Sequence, residues 1–179
     1  MHGEGKMRLL FIGDSLIEYF DWQERFPKSS VYNMGVAGET VEGLYSRLQV
    51  VYTQLVDTPD AIFIMSGINN LAMGHRKFIT TYRRIVRGLK KQYKSPGIFV
   101  QSLLPVLFPW ISNDEIRDIN IQLKKMADAE KVGYLDINSL FLDREGKAVA
   151  DYLLEDGVHV SEKGYRVWSN EIEKHLSLK

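Results

Sequence analysis

The chain has 179 residues, of which 45% are hydrophobic and 26% are charged. This length and composition are typical of one globular domain with a sizeable core. Its 23 lysine and arginine residues balance 23 aspartate and glutamate residues, so no overall field favours nucleic acid or an anionic membrane surface. The sequence has no cysteine, which excludes disulfides, thiolate catalysis and cysteine-bound metals.

No apolar run approaches the ~20 residues that a membrane span needs. The opening segment MHGEGKM is polar and shows no signal peptide, and we expect residues 1–6 to form a flexible tail. The sequence as given therefore predicts a cytoplasmic protein, unless a leader has been removed. A basic stretch, Tyr82–Lys94, carries six cationic residues, which we interpret as the solvated face of a helix rather than a nucleic-acid site.

Short apolar runs alternate with helical patterns along the chain. In chain order they predict strands at 8–13 and 30–36, a helix over 41–55, a strand at 61–67, a helix over 78–89, a strand at 97–104, a helix over 116–126, a strand at 133–137 and a helix over 165–176. The first long helix should begin at Glu39 or Thr40 and the last at Ser161. The alternation predicts a single three-layer α/β/α domain over residues 1–179, with a five-stranded parallel sheet of flavodoxin-like type.

The helical patterns place apolar residues at spacings of three and four. These residues are Val41, Leu44, Tyr45, Leu48, Tyr52 and Leu55 in the first helix, Phe78, Ile79, Tyr82, Ile85, Val86 and Leu89 in the second, Ile116, Ile119, Leu123 and Met126 in the third, and Tyr165, Trp168, Ile172 and Leu176 in the last. In a doubly wound sheet, ligands bind beyond the carboxyl ends of the strands. Functional residues are therefore expected in the loops that follow Ile12, Val36, Met65, Leu104 and Ile137.

A candidate nucleophile follows the first strand, in the motif Gly13-Asp14-Ser15-Leu16. A serine at the start of a helix meets backbone N–H groups and a dipole that favour negative charge. A serine hydroxyl also needs a base to remove its proton. A plain helix cap is the alternative explanation of this turn.

His159 is the best candidate base among four histidines. Asp156 precedes it by three residues, and a carboxylate at that separation can hold the imidazole in the tautomer that leaves Nε2 free to accept a proton. His75 is a weaker candidate, whereas His2 lies in the tail and His175 on the last helix. An Asp-x-x-His pair could also bind a metal, but no third ligand is evident, so we predict no metal and no cofactor.

Two further loops offer donors for a developing oxyanion. Gly35, in NMGVAGE, supplies a backbone N–H, and its missing side chain would allow close approach of a substrate. The segment MSGINN supplies side-chain amides at Asn69 and Asn70. Glycine and asparagine are also ordinary turn residues, which is the alternative for either loop alone.

The motifs GDSL, NMGVAGET, SGINN and DGVH, in this order, resemble those of the SGNH (GDSL) hydrolase family over nearly the whole chain. The resemblance implies that Ser15 is the nucleophile, His159 the general base and acid, and Asp156 the orienting carboxylate. It further implies an oxyanion hole formed by the Ser15 and Gly35 N–H groups and the Asn69 amide. Asp14 would shape the turn without belonging to the triad.

The third motif departs from the family pattern, which is usually Gly-x-Asn-Asp. Asn70 stands where the aspartate is expected, and the donor Asn69 is kept. The Asn-Asn form is similar to that of catalytic subunits of the platelet-activating factor acetylhydrolase type, which implies a short acyl group.

These features predict a serine esterase that hydrolyses a small-molecule ester of a short acyl group through an acyl-enzyme. Thioesterase or lysophospholipase, sugar O-acetylesterase, acyl transfer and a non-catalytic flavodoxin-like binding module are the alternatives. Apolar loop residues could line an acyl pocket; they are Leu16, Ile17, Leu71, Met73, Val106, Phe108 and Trp110. Phe108 and Trp110 equally fit a cap on the core or a contact in a homo-oligomer.

Overall fold

A computed structural model describes residues 6–55, 57–94 and 96–177. Most of the predicted tail, residues 1–5, lies outside these ranges. Within them the chain forms five parallel strands: β1 (Arg8–Gly13), β2 (Ser30–Gly35), β3 (Ala61–Met65), β4 (Gly97–Gln101) and β5 (Gly133–Leu135). The strand order is β2-β1-β3-β4-β5, which confirms the predicted parallel, flavodoxin-like sheet.

Helices cover both faces of the sheet, which confirms the three-layer α/β/α architecture. They are α1 (Ser15–Glu18), α2 (Trp22–Arg25), α3 (Val41–Ser46), α4 (Leu48–Gln54), α5 (Ile68–Ala72), α6 (Ile79–Gln92), α7 (Asn113–Glu130) and α8 (Glu162–Ser177). Helices α3, α4, α6 and α7 pack against one another, and α2 packs against α8. Two 3₁₀ turns, Asn138–Phe141 and Ala150–Tyr152, lie between β5 and α8.

Aromatic residues in the core anchor the strand that leads to Ser15. The Phe11 ring, on β1, stacks on Trp22 with ring centroids 4.2 Å apart and on Phe63 at 5.1 Å. Trp22 meets Trp168 of α8 edge to face at 5.3 Å. Such pairs add to the free energy gained by burying the rings, and they fix the end of β1 relative to α8.

Four strands end earlier than their apolar runs predict: β2 by one residue, β3 and β5 by two, and β4 by three. Local turns account for β4 and β3. The run at 97–104 stops as a strand at Gln101, because the Leu103 N–H donates to Asn120 Oδ1 at 2.7 Å and the Leu103 carbonyl accepts from Asn120 Nδ2 at 2.9 Å. Strand β3 ends at Met65 because Gly67 takes a φ of +131°, which terminates the extended backbone. Both local turns direct the chain away from the sheet.

The predicted helix over 41–55 is divided at Arg47, whose φ and ψ are −98° and 7°. Tyr45 is 42% exposed, so its assignment to the buried face is wrong. It lies at the edge of the apolar stripe, which consists of Val41, Leu44, Leu48 and Val51. The predicted caps are confirmed at Thr40 and Ser161, whose side-chain oxygens accept from the N–H three residues later at 3.2 Å.

Within the described ranges, no helix is both long enough and apolar enough to cross a membrane.

The basic stretch Tyr82–Lys94 lies on α6 and the segment after it. Arg83 and Arg87 form ion pairs with Glu130 at the end of α7, and the Lys90 ammonium donates to the Glu130 carbonyl.

Candidate active site

Ser15 lies at the carboxyl end of β1, the strand at which the strand order of the sheet reverses. The Asp14 side chain caps α1 by accepting from the Leu16 N–H at 3.1 Å. Helix α1 has only four residues, so its aligned dipoles sum to little. The start of α1 instead contributes a hydrogen-bond donor, the Ser15 N–H, which has no acceptor within the helix.

Glycines allow the loops around Ser15 to pack closely. A Cβ at Gly13 would lie 1.8 Å from the Met65 carbonyl oxygen, and a Cβ at Gly35 would lie 2.3 Å from the Glu18 nitrogen. The space beside Gly35 is therefore filled by α1. The expectation that this missing side chain makes room for a substrate is wrong, because the helix backbone is what needs the room.

His159 connects Ser15 to Asp156. Its Nε2 is 3.1 Å from Ser15 Oγ, and its Nδ1 is 2.6 Å from Asp156 Oδ2. The other carboxylate oxygen of Asp156 accepts from the N–H groups of Val158 and His159, both at 2.9 Å. The Asp-x-x-His segment thus forms a local turn in which one carboxylate holds both the backbone and the imidazole.

The charge of Asp156 fixes the orientation of the imidazole. Partial burial would raise the pKa of Asp156, but hydrogen bonds from the His159 ring and from two backbone N–H groups outweigh it and hold the pKa at about 2. The carboxylate therefore stays ionised near neutral pH and accepts a proton only as a hydrogen bond from Nδ1–H. Nε2 is then the ring nitrogen that can accept the Ser15 proton.

The loop that carries His159 is fixed at several points. The Leu154 N–H donates to the His159 carbonyl at 2.7 Å, and the Leu107 N–H donates to the Gly157 carbonyl at 2.7 Å. Gly157 has a φ of +71°, which a residue with a side chain adopts at a cost. Tyr19, at the end of α1, lies with its ring centroid 5.4 Å from that of His159.

The predicted oxyanion donors differ in their availability. The Gly35 N–H donates to Asn33 Oδ1 at 3.1 Å, so an oxyanion would have to share it. Asn69 Nδ2 donates to the Glu39 carbonyl at 3.0 Å, and a side-chain amide keeps a second N–H for another acceptor. Ser15 supplies its own N–H at the start of α1.

Asn70 has a structural role that explains the unusual third motif. Its side chain is fully buried, where Oδ1 accepts from the Val41 N–H at 2.9 Å and Nδ2 donates to Glu42 Oε2 at 2.7 Å. An aspartate at this position would set a second carboxylate against Glu42. The Asn70–Glu42 pair therefore accounts for the departure from Gly-x-Asn-Asp.

Asp14 is fully buried beneath Ser15, and burial raises its pKa to about 7. One carboxylate oxygen caps α1, and the other has no hydrogen-bond partner among the described residues. An ionised carboxylate in this position is poorly solvated, so the folded protein favours the protonated form up to neutral pH.

We expect Asp14→Asn to change the pH dependence of stability. In the wild type, the stability that comes from keeping Asp14 protonated is complete below the ordinary pKa of 3.8 and is lost as the pH rises toward about 7. The isosteric amide cannot ionise, so urea unfolding should show the variant gaining on the wild type through this window. Asp21→Asn, which changes an exposed aspartate that caps α2, should show no such gain. Parallel curves for Asp14→Asn and the wild type would contradict the assignment.

The proposed acyl-pocket residues do not share one environment. Leu16 and Leu71 are each 2% exposed and pack into the core, so neither side chain is available to a bound acyl group. Phe108 is partly buried against the core, whereas Trp110 is 80% exposed. Ile17 and Val106 are buried as well, whereas Met73 is 61% exposed, so the acyl pocket stays a prediction for Met73, Phe108 and Trp110.

A cavity of about 780 Å³ lies beside the Asn69-Asn70 segment. Its lining comprises Thr40, Glu42, Asn70, Met73, Gly74, His75, Arg76, Lys77 and Phe78. Ser15, Asp156 and His159 are not part of this lining. His75 therefore belongs to the cavity, whereas Nδ1 of His175 faces the Glu171 carbonyl on α8.

Sequence reasoning missed two residues next to the Ser15 turn. Asn33 Nδ2 lies within 3.2 Å of the carbonyls of Ile17, Glu18 and Phe20, which ties α1 to β2. Tyr19 lies beside the His159 ring. Asparagine is uncommon inside a strand, so Asn33 carries a signal in the sequence, whereas no local pattern indicates Tyr19.

In the described part of the chain, no group of three His, Cys, Asp or Glu side chains could hold a metal ion.

Comparison with known proteins identifies the family. The sequence profile of the GDSL-like Lipase/Acylhydrolase family matches residues 11–167. The chain belongs to this family. This confirms the resemblance to SGNH hydrolases and makes the protein a hydrolytic enzyme.

Solved structures of GDSL-type proteins share its fold. A Streptococcus pneumonia protein provisionally described as a platelet activating factor has a TM-score of 0.86 at 24% identity, over 98% of this chain and 86% of that chain. A GDSL-like lipase from Bacteroides thetaiotaomicron has a TM-score of 0.77 at 21% identity, over 95% and 87%. An acetylxylan esterase from Geobacillus stearothermophilus has a TM-score of 0.75 at 21% identity, over 94% and 93%. No curated protein sequence matches the chain.

Proposed function

We propose that the protein is a serine esterase that hydrolyses carboxylic esters of short acyl groups through a Ser15–His159–Asp156 triad. The observation that carries the proposal is the continuous hydrogen-bonded chain from Ser15 Oγ through the His159 ring to Asp156, with distances of 3.1 and 2.6 Å. Membership of a lipase and acylhydrolase family agrees with this chemistry.

Each residue has a defined task in the proposed reaction. Ser15 Oγ attacks the ester carbonyl while His159 Nε2 takes its proton, and the ionised Asp156 stabilises the imidazolium that forms. The oxyanion is held by the Ser15 N–H, the second N–H of Asn69 and the shared Gly35 N–H. His159 then protonates the leaving alcohol, and water attacks the acyl-enzyme by the same route.

The preference for a short acyl group rests on the burial of the apolar side chains next to Ser15. Leu16, Ile17 and Leu71 are all enclosed in the core, so these three side chains do not offer a bound acyl group a surface behind Ser15. We place it on the surface beside His159, where Tyr19, Leu107 and Leu154 are 60%, 51% and 51% exposed. A short group fits such a shallow surface better than a long chain does.

Hydrolysis of p-nitrophenyl esters from acetate to palmitate tests both parts of the proposal. We expect kcat/KM to be highest for the acetate or propionate ester and to fall as the chain lengthens. A maximum at octanoate or beyond would contradict the short-acyl assignment while keeping the esterase. Hydrolysis of thioesters or acetylated sugars, with no hydrolysis of simple esters, would move the activity to another substrate class.

Asn69→Ala should lower kcat by about 10²–10³-fold, as loss of one oxyanion donor does elsewhere, with little change in KM. Steady-state kinetics on p-nitrophenyl acetate would measure both constants. The matched control is Asn138→Ala, because the Asn138 amide also donates to a backbone carbonyl, at 2.8 Å, but follows β5 at the far edge of the sheet. A rise in KM at constant kcat would instead make Asn69 a substrate contact.

A further inference from the structure

Arg47 makes a forked contact with Glu39 where helices α3 and α4 meet. Its Nε is 2.5 Å from Glu39 Oε1, and its Nη2 is 2.7 Å from Glu39 Oε2. The same Nη2 donates to the Met34 carbonyl at 2.8 Å. The Glu39 side chain is only 8% exposed and that of Arg47 is 20% exposed, so solvent screens this pair weakly.

Both partners of Arg47 are directly connected to proposed oxyanion donors. The Glu39 carbonyl accepts from Asn69 Nδ2 at 3.0 Å, so the position of Glu39 sets the orientation of that amide. Met34 immediately precedes Gly35 at the end of β2, an edge strand whose only neighbour in the described sheet is β1. One guanidinium thus restrains the backbone on each side of the 35–38 loop.

The local sequence is adapted to this contact. A Cβ at Gly43 would lie 2.9 Å from Glu39 Cγ, so the glycine leaves room for the carboxylate stem. Arg47 lies at the break between α3 and α4, and its side chain reaches Glu39 from there. A lysine has a single charged nitrogen and cannot make the same fork.

We propose that Arg47 is a positioning residue for the reaction, which holds the Asn69 amide and the Gly35 N–H in register with Ser15 through Glu39 and Met34. This role rests on the proposed esterase function. Arg47 does not itself contact the reacting atoms, and it acts by keeping two donors from separate loops at one point. Misplacement of such groups by about 1 Å can cost on the order of 10²-fold in rate.

Arg47→Ala and Arg47→Lys test the role on p-nitrophenyl acetate. We expect kcat to fall by about 10–100-fold for alanine and nearly as far for lysine, while KM stays within about twofold. Millimolar guanidinium should restore part of the activity of Arg47→Ala. Affinity for a trifluoromethyl ketone, whose hydrate or serine adduct resembles the oxyanion intermediate, should fall in parallel with kcat/KM across the series.

Arg25→Ala is the matched control, because Arg25 also donates to several side chains, Ser169, Asn170 and Glu173, but joins α2 to α8. Its kcat per folded molecule should equal that of the wild type. Unchanged kcat in Arg47→Ala, or losses that match the unfolded fraction in both arginine variants, would overturn the role of Arg47. If the wild type shows no Ser15-dependent hydrolysis of any ester, the proposed function itself fails, which is a separate result.

Discussion

The Ser15→Ala variant should fold as the wild type does and lose ester hydrolysis by on the order of 10⁴-fold or more. Ser15 is 7% exposed, and its hydroxyl makes one hydrogen bond to His159, so removing one oxygen disturbs packing little. Its chemical role has no substitute, because an alanine side chain has no nucleophilic atom to form the acyl-enzyme. Initial rates on p-nitrophenyl acetate, with thermal unfolding followed by circular dichroism, would measure both effects.

Ser102→Ala is a suitable control for Ser15→Ala. Ser102 is also a buried serine close to the end of a strand, and its hydroxyl accepts one hydrogen bond, from the Asn138 N–H at 2.7 Å. We expect that variant to keep the wild-type kcat per folded molecule. Full activity in Ser15→Ala would exclude Ser15 as the nucleophile and leave the turn as a helix cap.

Asp156→Asn should lower kcat by about 10²–10⁴-fold because it changes the histidine tautomer. The asparagine oxygen can still accept from the Val158 and His159 N–H groups, so the turn should persist. Its amide nitrogen would then donate to His159 Nδ1, which leaves the proton on Nε2, facing Ser15. Such a ring cannot accept the serine proton.

The pH profile of kcat/KM adds a second readout for Asp156. Because hydrogen bonds hold its pKa at about 2, protonation of Asp156 should not limit the wild type above pH ~3. Asp151→Asn, in which an exposed aspartate loses its ion pair with Lys163, should leave the activity unchanged. A loss of less than about threefold in Asp156→Asn would show that this carboxylate does not orient the base.

Much of the fold could be predicted because it follows from local patterns. The apolar runs of β1 and β3 are buried on both faces, and the spacing in α6, α7 and α8 marks a single buried stripe for each helix. The division of the 41–55 helix could not be predicted, because the apolar spacing continues past Arg47 and the contacts of Arg47 with Glu39 and Met34 are tertiary. The early end of β4 likewise depends on Asn120, a residue 17 positions from Leu103.

In the candidate site, too, contacts between residues close in sequence could be predicted, whereas tertiary contacts could not. The Asp156–His159 contact is set by a three-residue turn, so spacing alone could predict it. Two other contacts are tertiary, and no sequence motif predicts them: α1 packs on Gly35, and the Asn33 amide lies against three carbonyls of the α1 segment. Burial of Leu16 and Leu71 is also tertiary, so the local sequence does not distinguish these core residues from residues that line an acyl pocket.

Covalent labelling with a fluorophosphonate probe tests the central claim most directly, because the probe reacts with an activated serine and leaves a stable adduct. Intact-mass and peptide-level mass spectrometry should show one adduct per chain, on the peptide that carries Ser15, with loss of esterase activity in proportion to labelling. The adduct should be absent from Ser15→Ala and slow to form in Asp156→Asn. An adduct on another residue, or full esterase activity in a fully labelled protein, would contradict the assignment of Ser15 as the nucleophile.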